Sequence, residues 1–482
     1  MAITITETEL SVYNLRRRMS FHFGNVHVTK GPQILLTLDA EVDGKTETGQ
    51  SMGALAPMWF YKDPDMGLEA GIEAMVDVFE AACDLAKSLD DRPSPFALWS
   101  DLYDAVGTWA TDTPHPNLLW NYGVSLVEQA VIDAYCCATQ TPFPVAVRKN
   151  DLGIDLGTVH PELADASPGD LLPDAPVSEV AIRHTVGLSD PLTSEEVPDG
   201  DRLDDGLPQT LAEYVDQQGI NHFKIKLAAN DTDAERLRNI HAVVADSDID
   251  EYALSLDANE QYSDVADFRE QWETLRKDPD IAALLDNLLY VEQPLPRDEA
   301  FSEATADTFA AWSDRPPVII DESDDRLDSL RQALDCGYAG TSHKNCKGVF
   351  KGLMNRCLIE HRRQAVGDRA YLMTGEDLTT LGPVELPEDF VVAATIGMDN
   401  VERNGHHYYR GLSMFSDDVQ EETLTAHPDL FTRHEDGFVT LDVRNGTVSL
   451  DSVLEAPFGH HVDLNPVDAT PIDEWSIESI SE

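Results

Sequence analysis

The residues whose types and spacing could do chemistry in this 482-residue chain are lysines and carboxylates at the ends of short apolar runs. The stretch HFKIKL, residues 222–227, carries Lys224 and Lys226. In an extended strand alternate side chains share a face, so both lysines point the same way. Two inward ammonium groups repel and are partly desolvated, which favours loss of one proton and supplies a base. Two surface lysines flanking a buried Ile225 are the plain alternative. Scarcity weakens it: the chain has 11 lysines, and five of them, at 224, 226, 344, 347 and 351, fall in two such regions. Asp257, Glu292 and Asp321 close three further runs, 35 and 29 residues apart. Three hard oxygen ligands without His or Cys suit Mg2+, with positions left for water or substrate. Any one of them could be a solvated acid in a chain with 89 acids. As a set in register with the lysines they read as a site. Glu322, beside Asp321, is a weaker ligand candidate with an outer or packing role, while Lys344 and Glu376 close two more runs.

Such residues converge only if the runs are neighbouring strand ends. Strands are predicted at Glu179–Val186, His222–Leu227, Tyr252–Asp257, Leu288–Glu292, Pro317–Asp321, Tyr338–Lys344, Tyr371–Glu376 and Met398–Arg403. Helical patterns lie between them, as in Thr232–Ala245, Val265–Lys277, Val349–Arg363 and Glu388–Thr395. Eight alternating units over about 225 residues are the size of a closed (β/α)8, TIM-type barrel, whose chemistry sits at the carboxyl ends of its strands. A doubly wound open sheet rarely needs eight units. Adjacent barrel strands lie about 4.8 Å apart, so consecutive tip carboxylates can reach one ion.

The barrel is assigned to 178–403, after an N-terminal capping domain at 1–150 and an Asp/Gly/Pro-rich linker at 151–177. Strands at Glu9–Arg18 and Gln33–Val42, an Asp43-Gly44 turn before Thr46–Met52, and helices at Leu68–Leu89 and Leu118–Thr139 give this block an α+β character. Segment 404–482, with short strands at Gly437–Val443 and Thr447–Leu450, is expected to return to the cap. Loops Phe21–Val28 and Met52–Trp59 are then placed to cover the barrel mouth, with His22 and Trp59 as substrate-binding candidates; a Trp59 that is simply cap core is the alternative. Glu376 is a further candidate to bond substrate or Lys344. His406-His407, after the eighth strand, could line the mouth or merely contact the cap, and His460-His461 read as structural.

The stretches HFKIKL (222–227), LSLDANEQY (254–262), YVEQPL (290–295), VIIDES (318–323) and SHKNCKG (342–348) resemble, in order, the active-site motifs of the mandelate racemase/muconate-lactonizing enzyme group of the enolase superfamily. The resemblance implies a base at Lys226, metal ligands at Asp257, Glu292 and Asp321, and a second acid/base at Lys344 on the opposite face. It places Lys224 beside the substrate carboxylate, helping Lys226 shed its proton, and Asn259 next to the ligands. An Asp–His dyad on strands six and seven is not evident, so the pattern is closer to the subgroup with lysines on strands two and six. The implied function is Mg2+-dependent abstraction of a proton alpha to a carboxylate through an enolate. Dehydration, epimerisation or racemisation, or cycloisomerisation would follow. Sites of this superfamily pair a Lys or His base with magnesium, which stabilises the developing negative charge. A catalytically silent barrel kept for binding or assembly is the alternative. An amidohydrolase-like centre is disfavoured because His184 stands without an HxH partner.

Composition bounds the partners. Against 89 acids stand 34 Lys and Arg, a formal charge of −55. The acids are spread between apolar runs, which reads as a folded protein with a carboxylated, salt-adapted surface, as in a halophile. Nothing basic answers the phosphates of nucleic acid or an anionic membrane. Cys83, Cys136, Cys137, Cys336, Cys346 and Cys357 show no CxxC spacing, and there is no apolar leader or run of about 18 apolar residues. The expectation is a cytoplasmic enzyme acting on a small carboxylate, as a homo-oligomer.

Overall fold

Apolar alternation in the first 54 residues builds five strands: β1 (Ile3–Tyr13), β2 (Arg16–Phe23), β3 (Val26–Lys30), β4 (Gln33–Val42) and β5 (Lys45–Ala54). The computed structural model describes residues 2–23, 26–62, 66–367 and 371–479; the side chains of 20–23, 26–28 and 467 lie outside that description. β1, β4 and β5 form an antiparallel sheet, while β2 and β3 make a separate hairpin where a loop was expected. The β4–β5 turn uses Asp43 at φ 50° and Gly44 at φ 80°, both left-handed, which matches the twist of the strands it joins. Helices Leu68–Ser88 and Asn117–Thr139 pack on this sheet, and Pro95–Ala110 packs on those two helices. Helix Asn117–Thr139 lies so close that a Cβ on Gly49 would stand 2.0 Å from the Ala130 carbonyl oxygen.

The barrel follows as β6 (Glu179–Val186), β7 (His222–Lys226), β8 (Ala253–Asp257), β9 (Leu288–Glu292), β10 (Val318–Ile320), β11 (Gly340–His343), β12 (Leu372–Gly375) and β13 (Asn400–Arg403). All eight run parallel, and β13 pairs back to β6 through Glu402↔Arg183 and Arg403↔His184, closing the ring. Helices between the strands cover the outside, as a (β/α)8 barrel requires. A small apolar cluster of Tyr290, Ile319 and Ala339 forms apart from the main core.

The tail divides. β14 (Phe431–Arg433) and β15 (Val439–Leu441) make a hairpin, β16 (Thr447–Ser449) pairs antiparallel with β6, and β17 (Thr470–Pro471) pairs with β1. The attachment of β16 to the barrel departs from the expected return to the cap. β6 begins two residues before its pairing with β13 starts at Ala181, so Glu179 and Val180 present an open edge that β16 fills. Gln50, on β5, is bonded to Leu464 through both its amide groups, at 2.6 and 2.8 Å. Among the described residues the six cysteines are free thiols, and no helix is long and apolar enough to cross a membrane.

Candidate active site

Strand pairing sets Lys226 beside Asp257 and Asp257 beside Glu292 at the carboxyl ends of β7, β8 and β9. Glu292 pairs with Ile319, and Asp321 stands two residues further on, hence on the same face and one rung higher. The three carboxylates are fully buried. Gln293, held at a left-handed φ of 35°, braces two of the strand ends: its Oε1 accepts from the Asp321 and Ser323 amides at 2.8 and 3.2 Å, and its Nε2 donates to Ser323 Oγ at 2.7 Å.

The two lysines of β7 part company. Lys226, 23% exposed along its side chain, donates to Asp257 Oδ2 at 2.6 Å and Asn259 Oδ1 at 2.8 Å. Lys224, 1% exposed, lies deeper, within 3.1 Å of Asp257, 2.8 Å of Glu292, 2.5 Å of Glu376 and 3.0 Å of Glu402. The expected repulsion between two inward ammonium groups is therefore overtaken. Burial opposes the Lys224 charge, but Asp257 and Glu292, with Glu376 and Glu402, outweigh it and hold the ammonium well above its usual range. Lys224 is a buried counter-ion to these acids that also lines the cavity above them. One ammonium shared by four acids leaves Glu292 undercompensated: burial, then Asp257 and Glu376, push its carboxyl well up. Glu292 Oε2 is the oxygen that faces the Lys224 ammonium at 2.8 Å, without a hydrogen bond among the described residues.

Lys344 approaches from β11. In an eight-membered ring β7 and β11 are four strands apart, so Lys226 and Lys344 face each other across the barrel. Lys344 Nζ lies 2.7 Å from Asp321 Oδ2 and 4.2 Å from the centre of the Trp59 ring. Burial disfavours its charge, yet Asp321 raises it beyond the ordinary lysine range. Asp321 Oδ1 accepts from Ser342 Oγ at 2.5 Å and Lys347 Nζ at 3.2 Å. Burial alone would raise the Asp321 carboxyl; Lys344 and Lys347 instead hold it well below the carboxylate range.

Three buried carboxylates from consecutive strands are a donor set suited to a hard divalent cation. Among the described residues no three His, Cys, Asp or Glu side chains stand ready as a cage. The reason is visible: Lys224 engages Asp257 and Glu292, and Lys344 engages Asp321, so ammonium groups hold the acids that an ion would gather.

The cap completes the site. Arg297, after β9, donates to the carbonyls of Phe60 at 3.1 Å and Trp59 at 3.0 Å, and its Nε lies 3.1 Å from Glu260 Oε1. Glu260 also takes Lys62 at 3.0 Å. Asn259 and Glu260, at φ 42° and 68°, turn the chain after β8 so that one serves Lys226 and the other the cap. Beneath the cap lies a cavity of about 360 Å3 whose wall includes Lys226, Asp257, Asn259, Lys344 and Trp59. Glu322 is buried beside the site, accepting from Asn259 Nδ2 at 3.2 Å with Lys62 at 3.6 Å.

Residues 207–347, from the approach to β7 through the end of β11, match the family model described as enolase C-terminal domain-like. The barrel has solved relatives in fold. An enolase from the alpha-proteobacterium bal199 with bound magnesium is 15% identical, with a TM-score of 0.59 over 98% of this chain and 100% of that one. A mandelate racemase/muconate lactonizing protein from Herpetosiphon aurantiacus is 17% identical, TM-score 0.58, over 96% and 99%. An enolase from Bradyrhizobium complexed with magnesium and mandelic acid is 16% identical, TM-score 0.55, over 93% and 94%. No curated protein matches the chain in sequence.

Within the barrel the structure brings together Lys224, Lys226, Asp257, Asn259, Glu292, Asp321, Glu322 and Lys344. Glu376 goes elsewhere: it is ion-paired to Arg183 and Lys224, accepts from Tyr290 Oη at 2.9 Å, and does not line the large cavity. His22 lies on β2 opposite His27, with its side chain outside the described residues. His406 and His407 pack against His184 and Tyr214, with His184 Nδ1 3.1 Å from His406 Nε2 and His407 Nδ1 2.8 Å from Tyr214 Oη, away from that cavity. Sequence reasoning passed over Arg183 and Glu402, and counted Lys347 among the clustered lysines without giving it a role. Arg183 and Glu402 are charged residues inside apolar barrel strands, a signal that was present, since such positions face other strands and demand partners.

Proposed function

We propose that this centre binds Mg2+ and removes a proton alpha to the carboxylate of a small substrate, as a lyase or isomerase of the mandelate racemase/muconate-lactonizing type. The observation that carries this reading is the pair of lysines facing each other across one cavity, each bonded to an acid of the candidate ligand set. Asp257, Glu292 and Asp321 would hold the ion, whose chemistry when bound is to neutralise the substrate carboxylate as it gains a second negative charge. Magnesium in the Bradyrhizobium and bal199 enolases supports that choice.

The chain's own residues supply the rest. Lys226 is the better placed to take the proton: it reaches the cavity and contacts one carboxylate and one neutral amide. Cation binding at Asp257 and Asp321 would draw those acids from Lys226 and Lys344 and weaken the ion pairs that hold both ammonium groups charged. Lys344, under the Trp59 ring, is then set to return a proton on the opposite face, or to assist a leaving group. The cap loop held by Arg297 keeps water from the pair.

The test is solvent-deuterium exchange with Mg2+ and a panel of carboxylic acids, followed by proton NMR. Metal-dependent loss of the α-proton signal is expected. Exchange that needs no metal, or that survives Lys226→Ala combined with Lys344→Ala, removes the proposal.

A further inference from the structure

The two ends of the cavity differ in chemistry. Its floor, at the strand ends, presents Lys226, Asp257, Asn259, Lys344, Glu402 and Asn404. Its roof is apolar: Leu55, Met58 and Trp59 from the cap loop, and Leu68 and Ile72 from the first long helix. Leu188, in the loop after β6, also lines it while 53% exposed, one of three large apolar side chains so exposed among the described residues. We propose that the carboxylate handled here carries a bulky, mainly apolar substituent that reaches this roof and covers Leu188, rather than the run of hydroxyls of an acid sugar. The inference rests on the reading above for which end of the substrate lies at the floor.

Volume and hydrogen bonding both favour it. A space of about 360 Å3 lies in the range of pockets for organic ligands and far exceeds what a carboxylate and its α-carbon fill. Two acids on the wall away from the floor are already engaged by backbone amides. Asp190 accepts from the Gly187 amide at 2.7 Å, and Asp377 accepts from the Thr380 and Asn404 amides at 2.6 Å each. Hydroxyls seated against Leu68 and Ile72 would lose water without gaining partners. Each methylene buried there strengthens binding about fourfold.

The proposal is tested on the full, Mg2+-loaded chain with aryl- or branched-alkyl-substituted carboxylates and aldonic acids of equal carbon number. Binding is read by titration calorimetry and α-proton exchange by NMR. Apolar acids are expected to bind at least tenfold more tightly than aldonates, and Leu68→Asp and Leu188→Asp to weaken apolar binding tenfold while melting remains cooperative. Leu188→Asp, at an exposed position, serves where Leu68→Asp fails to fold. Aldonates binding as well as the apolar acids, no binding by either class, or Leu188→Asp without effect would overturn the proposal. Exchange with aldonates alone overturns it while leaving proton abstraction standing. Apolar preference in binding with no exchange removes proton abstraction and leaves the substituent class intact.

Discussion

Replacing Lys224 by Met separates the two lysines of β7 in a single comparison. The Met side chain keeps most of the apolar stem and deletes the ammonium that lies within 3.1 Å of four buried carboxylates. Removing one member of a buried ion pair costs about 3–5 kcal/mol, because a desolvated charge is left uncompensated. Four acids share this cation, so the upper part of that range is expected, which for a barrel of this size is a fall in melting temperature on the order of 10 °C. Protonation offsets part of it. Burial, Asp257 and Glu376 already raise the Glu292 carboxyl in the folded state, and removing Lys224 raises it further. A folded-state acid above its unfolded value binds more protons than the unfolded chain, so stability falls as pH rises past about 4.5. The deficit of the variant should therefore widen from pH 5 to 8. Lys226→Met is the control: a 23% exposed side chain on one carboxylate should cost about 1 kcal/mol or less, yet abolish exchange with one enantiomer of an accepted carboxylate. Differential scanning fluorimetry of both variants against pH gives the readout. A Lys224→Met protein that melts with the wild type at every pH would refute the assignment of Lys224 as a buried counter-ion.

Arg297→Ala releases two carbonyls of the cap loop and should raise KM more than it lowers kcat, with Arg297→Lys restoring little because one ammonium cannot span Trp59, Phe60 and Glu260; kinetics equal to wild type in both variants would argue against the clamp. Burial disfavours the His460 charge, but Asp133 and then Glu388 raise its pKa to about 9, so stability present below about 6.5 should decline as pH rises through 9, by up to about 3 kcal/mol. Thermal melts of His460→Gln should lose that dependence, and an unchanged slope would contradict it. Glu292→Gln should weaken Mg2+ binding at least tenfold in calorimetry while raising rather than lowering the melting temperature without metal, since it removes the acid that burial and its neighbours penalise most.

The barrel was legible because its strands are short apolar runs with ionisable residues at their carboxyl ends, and Glu179–Val186 and Leu288–Glu292 end where the runs do. Helix Pro95–Ala110 was missed: its apolar positions Leu98, Trp99, Leu102 and Val106 have helical spacing, but Asp104, Gly107 and Thr108 dilute the pattern. Period two correctly placed Lys224 and Lys226 on one face, yet it says nothing of depth. Two residues along a strand are about 6.6 Å, enough to set Lys224 deeper than Lys226 and within reach of Glu376 and Glu402, whose strands are far away in sequence. The antiparallel addition of β16 depended on how far β6 outlasts β13, a length that pairing sets and periodicity does not.

Two lysines acting from opposite faces of one α-carbon are the heart of the proposed chemistry. The most direct measurement is deuterium exchange with each enantiomer of an accepted carboxylate in the presence of Mg2+, using Lys226→Ala and Lys344→Ala separately. Each variant should retain exchange with one enantiomer and lose it with the other, in opposite senses. Loss of both enantiomers in one variant and neither in the other would contradict the two-faced arrangement.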